Sequence, residues 1–154
     1  MVWQKTTYVT KNPEQTKKLG NLLARSVKRD RKSGQALVLA LSGDLGAGKT
    51  NFIQGFARGL GIGETVNSPT FVIAKVYPVK KSKSGFKKFH HVDCYRLDDA
   101  ADLAELDFEK VTADPDNIVA VEWPKIAGKF FGNNVLRLEF EVIGEEERRI
   151  TINS

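Results

Sequence analysis

Residues 43–50 read Gly-Asp-Leu-Gly-Ala-Gly-Lys-Thr, a complete Gly-x4-Gly-Lys-Thr loop with the spacing that phosphate recognition requires. Glycines allow successive backbone N–H groups to turn toward one point, and a helix starting there adds partial positive charge. Lys49 supplies a full charge, and the hydroxyl of Thr50 is placed to hold a magnesium ion. Four fixed positions of this kind coincide by accident in well under about 1% of chains this long. The loop therefore reads as a cradle for a nucleoside triphosphate rather than as a turn that only caps a helix.

Hydrolysis needs more than a cradle. A second acid, normally an Asp at the end of a neighbouring strand, must help hold magnesium or orient the attacking water. Two candidates end apolar segments: Asp93 after His90-His91-Val92, and Glu122 after the run Asn117 to Val121. Ligands of open parallel sheets sit beyond the carboxyl ends of the strands, so both acids fall on the phosphate side. Either acid could hold magnesium and the other polarise water. The preferred order puts Asp93 first as the metal partner and Glu122 as metal or water ligand; a helix cap or surface acid is the plain alternative for each.

Ser68-Pro69-Thr70 follows a flexible stretch, GIGETVN, and two readings stand open: a switch in which Thr70 senses the γ-phosphate, or the start of a strand. His90 and His91 are adjacent, so on a strand they point to opposite faces and are badly placed to share an ion. Cys94 has no Cys or His at ligand spacing and no recognisable base, which fits a small buried thiol. Trp123 either packs beside the nucleotide or a partner, or is a core residue.

The elements that must position these groups follow from periodicity. Ala36 to Leu41 (ALVLAL) is a buried parallel strand before the loop, and Asn51 to Leu60 carries Phe52, Ile53, Phe56 and Leu60 at helical spacing after it. A first strand is expected over Val2 to Val9. A helix begins at Asn12-Pro13-Glu14 and is expected to run to about Lys32, with Leu19, Leu22, Leu23 and Val27 on one face. Phe71 to Val79 and Lys87 to Val92 form an antiparallel hairpin around a polar tip, followed by a short acidic helix over Asp99 to Leu106. Asn117 to Glu122 is a buried strand, and Asn134 to Val142 with Arg148 to Asn153 make a closing hairpin. The fold class is α/β: a P-loop NTPase-like three-layer sandwich whose mixed sheet has parallel central strands and antiparallel additions.

The 154 residues are enough for one domain, with 41% hydrophobic and 28% charged residues as in ordinary globular proteins. No apolar run reaches the length of a membrane span, and MVWQKTTYVTKNPEQ lacks a signal-peptide core. One cysteine fits a reducing compartment, so a cytoplasmic location is expected. The net charge is +5, and it is clustered. Lys80, Lys81, Lys83, Lys87 and Lys88 crowd the hairpin; Lys17, Lys18, Arg25, Lys28, Arg29, Arg31 and Lys32 are assigned to the first helix. These are either two solvated faces or a footprint for RNA or an acidic partner. Only Phe86 and Phe89 interleave the lysines, so any nucleic-acid contact would be through phosphates.

In order, GDLGAGKT, VNSPTF, HVDCYRL and VEWP resemble the TsaE (YjeE) family, the bacterial ATPases of tRNA threonylcarbamoyladenosine biosynthesis. The likeness runs over nearly the whole chain. It implies that Gly43, Leu45, Gly46, Ala47, Gly48, Lys49 and Thr50 wrap the phosphates of ATP, that Thr50 and Glu122 serve magnesium, and that Asp93 is the Walker-B-like acid. Ser68, Pro69 and Thr70 match the family's switch-like segment, and Trp123 its Trp beside the acid. Adenine would be flanked by the turn at Pro13-Glu14 and the loop at Gly144. Family members work with the threonylcarbamoyl transferase subunit (TsaD-like) and its paralogue (TsaB-like) to modify adenosine 37 of ANN-decoding tRNAs, touching tRNA, if at all, through that complex. The hairpin VKKSKSGFKKF is longer and more positive than the family's usual turn.

Other classes fit less well. A GTPase would carry Asn-Lys-x-Asp and an Asp-x-x-Gly turn, and neither occurs. A small-molecule kinase shares the loop but needs a lid with clustered arginines, which the sequence does not display. A nucleotide-gated binding module without turnover is opposed by Asp93 and Glu122. With no arginine finger evident in the chain, weak activity in isolation is expected.

Overall fold

The computed structural model describes residues 3–67, 74–80 and 82–154. Its strands are β1 (Thr6–Thr10), β2 (Leu37–Ser42), β3 (Ala74–Pro78), β4 (Lys88–Asp93), β5 (Asn117–Glu122), β6 (Val135–Val142) and β7 (Arg148–Asn153). They form one sheet in the order β1-β7-β6-β2-β5-β4-β3. β2 pairs in parallel with both β5 and β6, and β5 in parallel with β4; the outer pairs β3–β4, β6–β7 and β1–β7 are antiparallel. A continuous apolar strand suits the centre, where both faces are covered, and the alternating β1 suits an edge.

Helices α1 (Pro13–Ser26) and α2 (Lys49–Gly59) cover one face, packing Leu23, Phe52, Ile53 and Phe56 onto Leu39, Leu41, Ala120 and Leu138. On the other face, the short helices α3 (Ala101–Ala104) and α4 (Phe108–Thr112) set Leu103 and Phe108 against Val38, Val119 and Val121. The expected three-layer α/β sandwich is what forms. At both ends of the central strands the chain follows the pattern closely, and β5 spans the predicted residues.

Four local expectations fail. The first strand, expected over Val2 to Val9, runs from Thr6 to Thr10, and residues 3–5 lie outside it. The first helix stops at Ser26, not near Lys32: Val27 turns extended (φ −83°, ψ 145°) and is buried, and Arg29 N–H donates to Ser84 O at 2.8 Å. Residues 28–32 are therefore a linker ending in a single 3-10 turn capped by Asp30, and their charges do not lie on the helix. Leu22 is half exposed, and the buried face of α1 is instead Thr16, Gly20, Leu23 and Ala24. Small residues there let α2 approach so closely that a Cβ on Gly55 would overlap the Lys17 carbonyl. The acidic helix is only one turn, Ala101–Ala104, and a second short helix that was not expected, Phe108–Thr112, follows after Asp107, whose φ is +52°.

Candidate functional site

The Gly-rich loop leaves the carboxyl end of β2 and enters α2 at its first residue, Lys49. Gly46 and Gly48 adopt φ of +79° and +96°, a region side chains other than glycine rarely occupy, and Gly48 is the N-cap of α2 without any side-chain cap. The first N–H groups of the helix are thus left facing the loop, an arrangement suited to an anion. Lys49 is 5% exposed. Its Nζ donates to the carbonyls of Gly43 and Asp44 and lies 3.9 Å from the centroid of the Trp123 ring. Burial pulls its ammonium below the usual lysine value, against the opposing pull of Glu122, Asp93 and Asp44.

The two acids meet at the strand ends. In the β4–β5 register Asp93 stands opposite Glu122, and Glu122 stands opposite Leu41 of β2, so both carboxylates border the start of the loop. Alternation puts His91, Asp93, Ala120 and Glu122 on the face that carries α2. Glu122 is almost fully buried, and its Oε2 lies 2.8 Å from Nε2 of His91, itself wholly buried. Among the described residues the Nδ1 of His91 has no hydrogen-bond partner, and a carboxylate only accepts, so Nε2–H is the donor to it. Asp93 is half-buried, and its Oδ1 accepts from the Tyr95 N–H at 2.9 Å, which shapes the turn leaving β4.

Trp123, directly after Glu122, takes φ of +57°, and its N–H donates to Leu41 O at 3.2 Å. That conformation throws the ring back over the loop, between Lys49 and Tyr95, whose ring centroid is 5.0 Å away. Of the two readings of Trp123, packing at the site is the one its position favours. A cleft of about 470 Å³ continues from Ser42, Gly43 and Asp44 past Trp123 to Lys125 and Arg137. Burial pushes the Cys94 thiol up to about 12, with Asp93 adding to the effect, so a nucleophilic role has no support.

Residues flanking the loop on its other side come from α1 and the β6–β7 turn. Gly144 contributes its carbonyl to Arg148 Nη1 at 3.2 Å, while Arg148 Nη2 donates to Gly46 O at 3.0 Å. Gly144 is thus one side chain away from the loop. Glu14 is largely exposed in the first turn of α1 and pairs with Lys17 at 3.6 Å; Thr16, two residues on, faces Gly48. Leu45 is exposed at the loop tip, Ala47 is buried beneath it, and Thr50 is half-buried in the first turn of α2. Ser68, Pro69 and Thr70 lie outside the described residues.

Two functional candidates escaped the sequence reading. His91 sits two residues before Asp93 and so shares its face, and that period of two is the signal in the sequence for a role other than metal ligation. Arg148 has no sequence signal that ties it to the loop, and only the β6–β7 pairing brings it there. Among the described residues, no group of three or more His, Cys, Asp or Glu is arranged to hold a metal by itself, and no helix is long and apolar enough to cross a membrane.

The family model described as threonylcarbamoyl adenosine biosynthesis protein TsaE matches residues 10–150. The chain is similar to the tRNA threonylcarbamoyladenosine biosynthesis protein TsaE of Bacillus subtilis, at 37% identity over 94% of this chain and 83% of the relative. It is also similar to the protein of that name from Rickettsia felis, at 34% identity over 94% and 77%. The crystal structure of Bacillus subtilis YdiB superposes with a TM-score of 0.72 and 32% identity, covering 100% of this chain and 87% of that one. With a glycine loop, a paired Asp and Glu at adjacent strand ends, and this likeness over nearly its whole length, the chain belongs to the TsaE family of tRNA threonylcarbamoyladenosine biosynthesis.

Proposed function

We propose that this protein is a magnesium-dependent ATPase whose hydrolysis supports turnover of the transferase subunits that install threonylcarbamoyl on adenosine 37 of tRNA. The observation that carries the reading is the register of Asp93 against Glu122 at the mouth of the loop, with buried Lys49 beside them. A loop with positive-φ glycines and an uncapped helix start suits the phosphates of ATP, and a hydroxyl with two carboxylates suits magnesium. Magnesium, when bound, would neutralise charge building up between the β- and γ-phosphates.

The chain's own residues divide the work. Backbone N–H groups of residues 45–50 orient the phosphates, and Lys49 exchanges its contacts with Gly43, Asp44 and Trp123 for phosphate oxygens. Thr50 and Asp93 would hold the magnesium. Glu122, fixed by His91, keeps one carboxylate oxygen for the attacking water or the metal. The partners of this ATPase would be a TsaD-like transferase subunit and its TsaB-like paralogue, which would complete the site.

The test is phosphate release from ATP with and without the transferase pair. Stimulation by the pair is expected, with Lys49→Ala losing nucleotide binding and Glu122→Gln binding ATP without turning it over. Transfer of phosphate to a nucleoside or sugar by the isolated protein would replace this reading with a kinase. Undiminished turnover by Glu122→Gln would remove that residue from the mechanism.

A further inference from the structure

The two basic groups that lie far apart in sequence are one surface. Arg29 N–H donates to Ser84 O at 2.8 Å, and Asp116 pairs with Arg29 at 2.5 Å and Lys87 at 3.2 Å, joining the 28–32 linker to the 80–88 hairpin. Lys28, Arg31 and Lys32 from the linker and Lys83, Lys87 and Lys88 from the hairpin are all exposed. By sequence, residues 28–32 contribute +3 and residues 80–88 contribute +5, against +5 for the whole chain, so the remainder is net negative. The nearby acids are Asp30, Asp114 and Asp116; Asp116 is engaged with Arg29 and Lys87, and Asp30 accepts from the Lys32 N–H.

The surface lies at the amino ends of β4 and β5, where Lys88 stands opposite Asn117. Asp93 and Glu122 are at the other ends of these six-residue strands, roughly 17 Å away at about 3.3 Å per residue. It is separate from the nucleotide site.

Its composition selects the partner. None of the large exposed hydrophobic residues among those described falls within 28–32 or 80–88, so the surface lacks the apolar anchors that dominate protein interfaces. Phe86 and Phe89, which could have stacked on bases, are buried at 3% and 0% exposure. What remains is a set of lysines and arginines spread over two rigidly joined segments, which suits a polyanion whose charges are arrayed on its outside. We propose that this surface binds the phosphate backbone of a double-stranded region of RNA, leaving the nucleotide site at the opposite end open to its protein partners. The inference rests on the threonylcarbamoyladenosine reading only for the choice of tRNA as the RNA.

Fluorescence anisotropy with an unmodified tRNA transcript tests it, using the full chain at about 50 and about 200 mM salt. Wild type should bind in the micromolar range at the lower salt. The triple variants Lys28→Gln/Arg31→Gln/Lys32→Gln and Lys83→Gln/Lys87→Gln/Lys88→Gln should each weaken binding tenfold or so, and reduce the slope of log K against log salt by about 2.7, at ~0.9 per lost phosphate contact. Both should bind ATP as wild type does, while Lys49→Ala should bind tRNA normally; failure of one pair of results leaves the other interpretable. If the hairpin triple does not fold, the linker triple alone decides. Absent tRNA binding by wild type, or unaltered binding by a folded triple variant, overturns the proposal. So does polyglutamate competing as well as tRNA, which would assign the surface to an acidic protein.

Discussion

Replacing His91 by Leu should expose how tightly the Glu122 carboxylate depends on it. The pair is 2.8 Å apart, with side chains 0% and 5% exposed, so water is poorly placed to substitute for the imidazole donor. Leaving a buried charged acceptor without its partner costs about 3 kcal/mol or more, whereas removing both members together is far less harmful. His91→Leu should therefore lower the melting temperature by about 6–12 °C, taking ~2–4 °C per kcal/mol for a domain of this size. His91→Leu with Glu122→Leu should lose much less than the sum of the two single variants, with a coupling energy of about 2–3 kcal/mol from urea unfolding. His91→Gln, which offers an amide donor at a similar reach, should recover part of the stability and of the turnover number lost by His91→Leu, with the nucleotide affinity of both His91 variants unchanged. Additivity of the two Leu variants within about 0.5 kcal/mol would refute the argument, because the hydrogen bond would then not be what holds Glu122.

Three further outcomes are expected. His90 is buried, its Nε2 has no hydrogen-bond partner within 3.5 Å among the described residues, and burial holds its pKa below the ordinary 6.5 against the pull of Asn117. The unfolded chain therefore binds a proton first, and stability should fall as pH drops from about 7.5 to about 5.5, an effect that His90→Phe should diminish in urea midpoints. Gly55→Ala should destabilise by about 2–3 kcal/mol, since its Cβ meets Lys17 backbone and α1 must move as a unit; a thermal melt within about 1 °C of wild type would contradict the packing. Arg148→Ala should weaken ATP binding about five- to tenfold in calorimetry by releasing the Gly46 carbonyl, and Arg148→Lys should not restore it because an ammonium cannot bridge Gly46, Gly144 and Glu147 at once.

How much was legible in the chain depended on whether the signal was local. The loop, β2, α2 and β5 were read nearly to the residue, because an uninterrupted apolar run, a glycine spacing and a 3.6-residue period each sit within one short segment. The end of α1 was misplaced because the cause lies elsewhere: Val27 is drawn into the core and Arg29 pairs with Ser84, more than fifty residues on. Leu22 was assigned inward because leucines attract that assignment, while the true contact face is small, chosen by the closeness of α2.

The same division runs through the site. Residue types and spacing by themselves determined that Gly43 to Thr50 form a glycine-rich turn between a strand and a helix and that Asp93 and Glu122 end strands, since a glycine's backbone freedom and an apolar run's termination are properties of neighbouring residues. Tertiary structure alone decided that the two acids face each other across one register, that His91 holds Glu122, that Arg148 ties the β6–β7 turn to Gly46, and that two lysine-rich segments fuse into one surface. Each of these is a pairing between segments tens of residues apart. Strand order and register set such pairings, and both are fixed by burial of the whole sheet rather than by any stretch of sequence.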